Sequence, residues 1–163
     1  WPHKEHKCLI KVIEHIKDVD LVLVGGSGPL HNEVSKAIQR SPASDRIRHL
    51  GNVDQEKLDG LYRHALCTAF PSRYEGFGQP VIEAMARGCP VISSQEAALV
   101  ETVRTGGITI PRELDLWVDA VNMIRQPEER REWVANGFER AADFSFSRAA
   151  AAQLAVYNEL LRQ

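Results

Sequence analysis

The chain has 163 residues, a length that fits one domain or half of a larger enzyme. Hydrophobic residues make up 44% and charged residues 26%, as in ordinary globular proteins. Twenty Lys and Arg side chains against 22 Asp and Glu side chains give a net charge of −2, so there is no general electrostatic attraction to nucleic acid or to an anionic membrane.

The cysteines are too few and too far apart for a disulfide framework or a zinc site. They are Cys8, Cys67 and Cys89. Free thiols predict a reducing compartment, and we expect the cytoplasm. We expect neither a signal peptide nor a membrane-spanning helix, because no apolar run approaches the ~20 residues that a membrane helix needs.

Short apolar runs alternate with helical patterns along the chain. The runs predict buried parallel strands, since each has a turn residue at one end. These strands are expected at 21–24, 47–51, 65–70, 89–93 and 107–110. Helices are expected at 4–17, 30–40, 55–64, 79–87, 96–104, 113–125, 128–142 and 147–162. In the last helix an apolar stripe comprises Ala150, Leu154, Tyr157 and Leu161.

This alternation predicts an α/β fold over residues 1–163, a single Rossmann-like domain. A parallel sheet would form the middle of three layers, with helices on both faces and right-handed crossovers. A doubly wound sheet usually has a strand before its first helix. No such strand precedes residue 4, so we expect the chain to be a fragment of a longer protein.

The loop 71–78 follows the third predicted strand and is the main candidate site. Ligands of open α/β sheets bind at the carboxyl ends of the strands. Pro80 suits a first helical turn, and the free N–H groups around Gly78 can bind an anion there. Gly76 and Gly78 let a ligand approach the backbone closely.

Two glutamates flank this anion site. Glu75 lies on the loop and Glu83 lies about one turn into the following helix, so they do not share a helix face. We expect them to contact different parts of one extended ligand, because carboxylates accept hydrogen bonds from sugar hydroxyls. Glu83 also has a purely structural explanation, since a first-turn glutamate complements the helix dipole.

The segment EGFGQPVIEAMARGCPVI, from Glu75 to Ile92, resembles the motif E-G-F-G-x-P-x-x-E-A-M-A-x-G-x-P-V-I of the glycosyl transferase group 1 family. Every fixed position agrees. Segments 21–29, 47–78 and 144–161 are also similar to the family, so the resemblance covers nearly the whole chain. One departure is SQEAALVE, where Ala97, Ala98 and Val100 replace the Gly, Gly and Pro of the family pattern.

The resemblance implies the GT-B architecture, in which two Rossmann-like domains face each other across a cleft. The N-terminal domain of the family takes the acceptor and the C-terminal domain takes the nucleotide sugar. This chain is similar to the C-terminal domain only. The N-terminal acceptor domain, and a family arginine that would precede Trp1, are expected to lie outside it.

The resemblance also implies roles for individual residues. Glu75 would be the catalytic carboxylate at the donor sugar, Glu83 would bind the ribose, and Lys4 would bind the diphosphate. Backbone amides that meet sugar and phosphate would be those of Gly76, Phe77, Gly78 and Gln79. Recognition of the base is expected near residues 48–52. The resemblance implies no metal and no cofactor beyond the nucleotide-sugar substrate.

The implied activity is retaining transfer of a hexose from a nucleotide-diphosphate sugar to a carbohydrate or lipid-linked acceptor, by front-side attack, as in polysaccharide biosynthesis. We expect the isolated domain to be inactive, because transfer needs a bound acceptor. The full-length protein would be cytoplasmic, with peripheral association at the inner face of the membrane as an option that rests on the N-terminal domain.

Three alternatives to a glycosyltransferase domain stay open. The chain could be a non-catalytic nucleotide-sugar binding module. It could also belong to a sugar-nucleotide epimerase or a phosphorylase of similar architecture, although the intact motif disfavours both. A dinucleotide site at Gly25–Gly28 is disfavoured, because the third glycine of G-x-G-x-x-G would fall on His31.

Overall fold

The computed structural model describes residues 2–162, in which strands and helices alternate as the sequence predicts. The strands are β1 (Leu21–Leu23), β2 (Ile47–His49), β3 (Thr68–Phe70), β4 (Val91–Ser94) and β5 (Ile108–Ile110). The helices are α1 (His6–His15), α2 (His31–Arg40), α3 (Gln55–His64), α4 (Gln79–Met85), α5 (Ala97–Val103), α6 (Leu114–Ile124), α7 (Pro127–Ala141) and α8 (Phe146–Leu160). Short 3₁₀ turns lie at Pro2–Lys4, Ser44–Arg46 and Arg104–Gly106.

All strand pairs are parallel, but they form two sheets rather than one. β1 pairs with β2, and β3, β4 and β5 form a separate sheet in that order. A doubly wound sheet places its first strand in the middle, with the next two strands on one side and the later strands on the other. β1 and β3, which would flank that position, do not pair with each other in residues 2–162, so two parallel sheets are found where one was predicted.

Helices cover both faces of the larger sheet, as predicted. Successive residues of a strand point to opposite faces, and β4 is buried along its whole length. Ile92 belongs to an apolar core with residues of α1 and α6, including Ile13 and Trp117. Val91 belongs to a second core, formed with residues of α4 and α5. The α/β layer architecture is therefore confirmed.

The last helix differs from the others in its exposure. None of its described residues is buried, and its predicted apolar stripe faces solvent, with Leu154 at 58% and Leu161 at 85% exposure. The stripe that the sequence shows is thus not part of either core. Within residues 2–162, no helix has the length and apolarity needed to cross a membrane.

Arg46 stabilises the connection between α1 and β1. Its guanidinium donates to the carbonyl oxygens of Ile13 (2.9 Å), Ile16 (2.9 Å) and Val19 (2.7 Å), which lie at the end of α1 and beyond it. Carbonyls at the end of a helix have no partner within the helix, so the side chain supplies what the backbone lacks. Arg46, which lies outside both α1 and β1, thus stabilises the segment that connects them.

Arg46→Ala should therefore lower the free energy of unfolding by about 2 to 3 kcal/mol, because charge-assisted hydrogen bonds are lost and carbonyls are left unpaired. Chemical denaturation measures this. Arg48→Ala is the matched control. Arg48 forms an exposed 3.5 Å pair with Asp20, so this variant should lose less than about 1 kcal/mol. Equal losses in both variants would contradict the role of Arg46.

Gly78 allows the loop 71–78 to turn into α4. Its φ of 87° lies in the left-handed region, and it stands at the N-cap of the helix. A Cβ on Gly78 would lie 2.7 Å from Cδ2 of the fully buried Leu99. Gly76, on the same loop, has open space where a Cβ would go.

Gly78→Ala should lower the free energy of unfolding by about 2 to 4 kcal/mol, since strain of the left-handed backbone adds to overpacking against Leu99. Gly76→Ala should cost less than about 1 kcal/mol, because its Cβ meets nothing. Denaturant titration of both variants gives the comparison. A Gly78→Ala protein as stable as Gly76→Ala would show that the turn can relax.

Candidate functional site

The loop 71–78 leaves β3 and is anchored at its start. Pro71 and Ser72 are buried. The Ser72 carbonyl accepts hydrogen bonds from Ser94 Oγ at the end of β4 and from Arg112 (3.3 Å) beyond β5. The carboxyl ends of three neighbouring strands are thereby joined at the first residues of the loop, which restricts where Glu75 can lie.

The far end of the loop is anchored by a different set of side chains. Thr102 Oγ1 donates to the Phe77 carbonyl at 2.7 Å. The Phe77 ring meets Phe144 edge to face, with centroids 5.7 Å apart, and the Arg140 guanidinium lies 4.5 Å from the Phe144 centroid. Arg140 also donates to the carbonyls of Glu101 and Thr102 at the end of α5. The segment after α7 therefore supports the loop from behind.

Two predicted site residues, Lys4 and Glu75, form an ion pair. Lys4 Nζ lies 2.6 Å from Glu75 Oε1, and the side chains are 26% and 11% exposed. The ammonium also stands 4.7 Å from the centroid of the Phe70 ring at the end of β3. The pattern predicted Lys4 in the first helix, but the structure places it before that helix. It ends a 3₁₀ turn, and α1 begins at His6.

The residues on either side of this pair are joined as well. Arg73 donates its backbone N–H to the His3 carbonyl at 2.7 Å. The Arg73 guanidinium lies 2.6 Å from the Glu5 carboxylate. Glu5 was not among the predicted site residues, and no pattern in the sequence pairs it with Arg73. Residues 3–5 and 73–75 thus form one contact, which we call the clamp.

Glu83 has separate surroundings from Glu75, as the sequence analysis expected. Its carboxylate accepts a 3.0 Å hydrogen bond from Gln79 Nε2, one turn earlier in α4. The spacing of four residues could have indicated this contact. Tyr62 of α3 is close enough to respond to it: burial raises the pKa of Tyr62 to about 12, and the charge of Glu83 acts in the same direction.

Histidines scattered through the sequence converge near the ends of β1 and β2. The rings of His31 and His49 are 5.3 Å apart, and His49 Nε2 lies 3.1 Å from the Gly25 carbonyl oxygen. Burial lowers the pKa of His6, and the charges of His49, Lys4 and His3 contribute further. His31, at the start of α2, and His49, at the end of β2, are thus in contact.

The loops after β1 and β2 approach each other closely. A Cβ on Gly26 would come within 3.0 Å of Asn52 Oδ1. Gly25 has a φ of 137°, and its N–H donates to the Gly51 carbonyl at 2.9 Å. These glycines let two loops meet beside the histidines, in the region where base recognition is expected.

At this edge of the sheets lie the ammonium of Lys4 and the carboxylates of Glu75 and Glu83, which have different partners. The glycine-rich loop 71–78 adds its backbone N–H groups. An ammonium and N–H groups can bind phosphate, and carboxylates can bind hydroxyls. Across residues 2–162, no group of three or more His, Cys, Asp or Glu side chains is arranged to hold a metal ion.

Comparison with known proteins agrees with these features. The sequence model of the family described as "Glycosyl transferases group 1" matches residues 1–140. The MMP alpha-(1->4)-mannosyltransferase of Mycolicibacterium hassiacum is 33% identical over 151 residues, which is 89% of this chain and 36% of that protein. The chain therefore spans little more than a third of this relative's length.

Solved structures share the fold. Sucrose-phosphate synthase from Thermosynechococcus elongatus superimposes with a TM-score of 0.88 at 29% identity, over 99% of this chain and 43% of that one. Anabaena HepE, in complex with UDP and glucose, gives a TM-score of 0.84 at 22% identity, over 98% of this chain and 46% of that one. With the matched family model, these findings establish that the chain belongs to the glycosyl transferase group 1 family and has the Rossmann-like fold of GT-B enzymes.

Proposed function

We propose that this chain is the donor-binding domain of a retaining glycosyltransferase, which binds a nucleotide-diphosphate sugar. The observation that carries the proposal is the Lys4–Glu75 ion pair at the edge of the motif loop. It places a cation suited to phosphate next to a carboxylate suited to sugar hydroxyls, as one ligand with both groups would need.

Named relatives support the class of donor. One relative is a mannosyltransferase, and the HepE structure was solved with UDP and glucose. The first name is that of an enzyme that transfers a sugar, and the second describes a complex with a nucleotide and a sugar. This similarity supports a nucleotide sugar as the class of ligand for this chain.

Lys4 would neutralise the diphosphate. Without a donor its charge is balanced by Glu75, so a diphosphate must compete for the ammonium with a partly buried carboxylate. A ligand with several negative charges competes well at short range. The backbone N–H groups of Gly76, Phe77, Gly78 and Gln79 would add donors that need no reorientation, because Thr102 and Ser94 already hold the loop through its carbonyls. Preorganised donors of this kind stabilise charge that develops on a leaving group.

The two glutamates would contact opposite ends of the donor. Glu75 would accept hydrogen bonds from the sugar hydroxyls and act at the reacting sugar once Lys4 turns to the phosphate. Glu83 would accept from the ribose hydroxyls, with Gln79 orienting its carboxylate. We propose this chemistry without a metal ion, with the charge on the leaving diphosphate stabilised by Lys4 and the loop amides.

The whole protein would bind its acceptor, a glycan or a lipid-linked sugar, in another domain. The relative is nearly three times as long as the matched segment, and the apolar face of α8 is uncovered. We propose that the full-length enzyme is cytoplasmic and retains the anomeric configuration, and that any peripheral membrane contact is made by that other domain.

A second candidate applies to the chain by itself. Residues 1–163 would bind a nucleotide sugar without transferring it, because transfer requires the acceptor to be held in reach of the donor. The short span relative to the mannosyltransferase favours this for the isolated domain.

The test uses the full-length protein, calorimetry with UDP, GDP, ADP and their sugar conjugates, and release of the nucleotide from the donor that binds. Glu75→Gln should reduce turnover by about 100-fold or more, since a group acting at the reacting sugar is lost. Its affinity for the nucleoside diphosphate should not fall, because Lys4 loses a competitor. Glu83→Ala should weaken nucleotide binding by about tenfold.

Glu132→Gln, an exposed carboxylate on α7, serves as the control and should leave both quantities unchanged. Near-normal turnover of Glu75→Gln would refute its catalytic role. Failure of the wild-type protein to bind any nucleotide of the panel would refute the donor site as a whole.

A further inference from the structure

We propose that Glu5 and Arg73 are positioning residues, which set donor affinity by holding Lys4 against the loop that carries Glu75. This inference rests on the proposed function. It concerns the clamp, residues 3–5 and 73–75, and assigns a task to an ion pair that neither the motif nor the family resemblance includes.

The clamp consists of three contacts between residues 3–5 and residues 73–75. The Arg73 N–H donates to the His3 carbonyl at 2.7 Å, Lys4 pairs with Glu75 at 2.6 Å, and Glu5 pairs with Arg73 at 2.6 Å. Lys4 is therefore flanked on both sides by residues bound to Arg73. A long flexible side chain loses less freedom on binding a ligand when its backbone is already held.

The left-handed backbone at Glu5 points to a role for its side chain. Glu5 has φ 51° and ψ 37°, in the left-handed region that costs a residue with a Cβ free energy. Glycine would adopt this turn without strain. Glu5 is the N-cap of α1, yet its side chain makes no capping hydrogen bond and pairs with Arg73 instead.

The Glu5–Arg73 ion pair also determines which cation binds Glu75. Arg73 is two residues from Glu75 and has a guanidinium that binds carboxylates well. Glu5, which is 24% exposed, engages that guanidinium. Lys4 is then the cation at Glu75, and Arg73 is kept away from the carboxylate that would receive the sugar.

Calorimetric titration of the full-length protein with UDP tests the proposal, with GDP and ADP as alternatives if UDP does not bind. Glu5→Gln and Arg73→Gln should each weaken binding by about two- to fivefold, the range set by partly exposed ion pairs. The exchange of charges, Glu5→Arg with Arg73→Glu, should restore affinity to within about twofold. Glu33→Gln is the matched control, since it removes a carboxylate from the 2.6 Å pair with Lys7 and should not change affinity.

A double-mutant cycle separates positioning from a general structural effect. If Glu5 acts through Lys4, then Glu5→Gln should have no further effect on affinity in a Lys4→Ala background. Glu5→Gly gives a second readout, because it relieves the left-handed strain. It should keep or raise the thermal midpoint of the protein and still weaken nucleotide binding.

Wild-type affinity in Glu5→Gln, or an equal loss with and without Lys4, would overturn the positioning role. The proposed function fails in a different way, namely if the wild-type protein binds no nucleoside diphosphate or if Lys4→Ala binds as tightly as wild type. A protein in which Lys4→Ala weakens binding but Glu5→Gln does not would keep the donor site and lose only the clamp.

Discussion

The ion pair between Lys4 and Glu75 joins parts of the chain that are 71 residues apart, and the candidate site depends on it. Without a ligand, each charge of the pair balances the other. An unpaired charge in such a half-buried position would be costly in free energy. In the proposed complex a donor would therefore replace the partner of each charge rather than enter a vacant charged site. Phosphate would take the ammonium and sugar hydroxyls would take the carboxylate, so one ligand replaces both halves of the pair.

The fold makes this exchange feasible by anchoring the loop through its carbonyl oxygens. Ser72 and Phe77 have carbonyls that are bound by side chains from β4 and α5. In the proposed complex the N–H groups of the glycine-rich part would then bind the ligand. Gly78 completes the arrangement, because its left-handed backbone turns the loop into α4 where any Cβ would collide with Leu99.

Much of this was predictable, because it depends on local pattern. Short apolar runs and helical periodicity placed every strand and helix to within a few residues. The similarity of residues 75–92 to a family motif indicated the family and assigned Lys4 and Glu75 to one ligand. The contact between the two side chains agrees with this assignment.

What the sequence could not reveal are contacts that neither periodicity nor spacing encodes. The left-handed turn at Glu5 depends on Arg73, a partner far along the chain. Spacing in the sequence likewise does not indicate the contact between His31, at the start of α2, and His49, at the end of β2. The apolar stripe of α8 was visible, but its exposure depends on what lies against it and not on its spacing.

The most direct test of the donor site is a crystal structure of the full-length protein with whichever of UDP, GDP and ADP it binds most tightly. We expect a phosphate oxygen within hydrogen-bond distance of Lys4 Nζ and of the loop N–H groups at 76–79, with the ribose hydroxyls at Glu83. The 2.6 Å contact between Lys4 and Glu75 should be lengthened or broken. A nucleotide bound elsewhere, with that contact unchanged, would contradict the donor-site assignment.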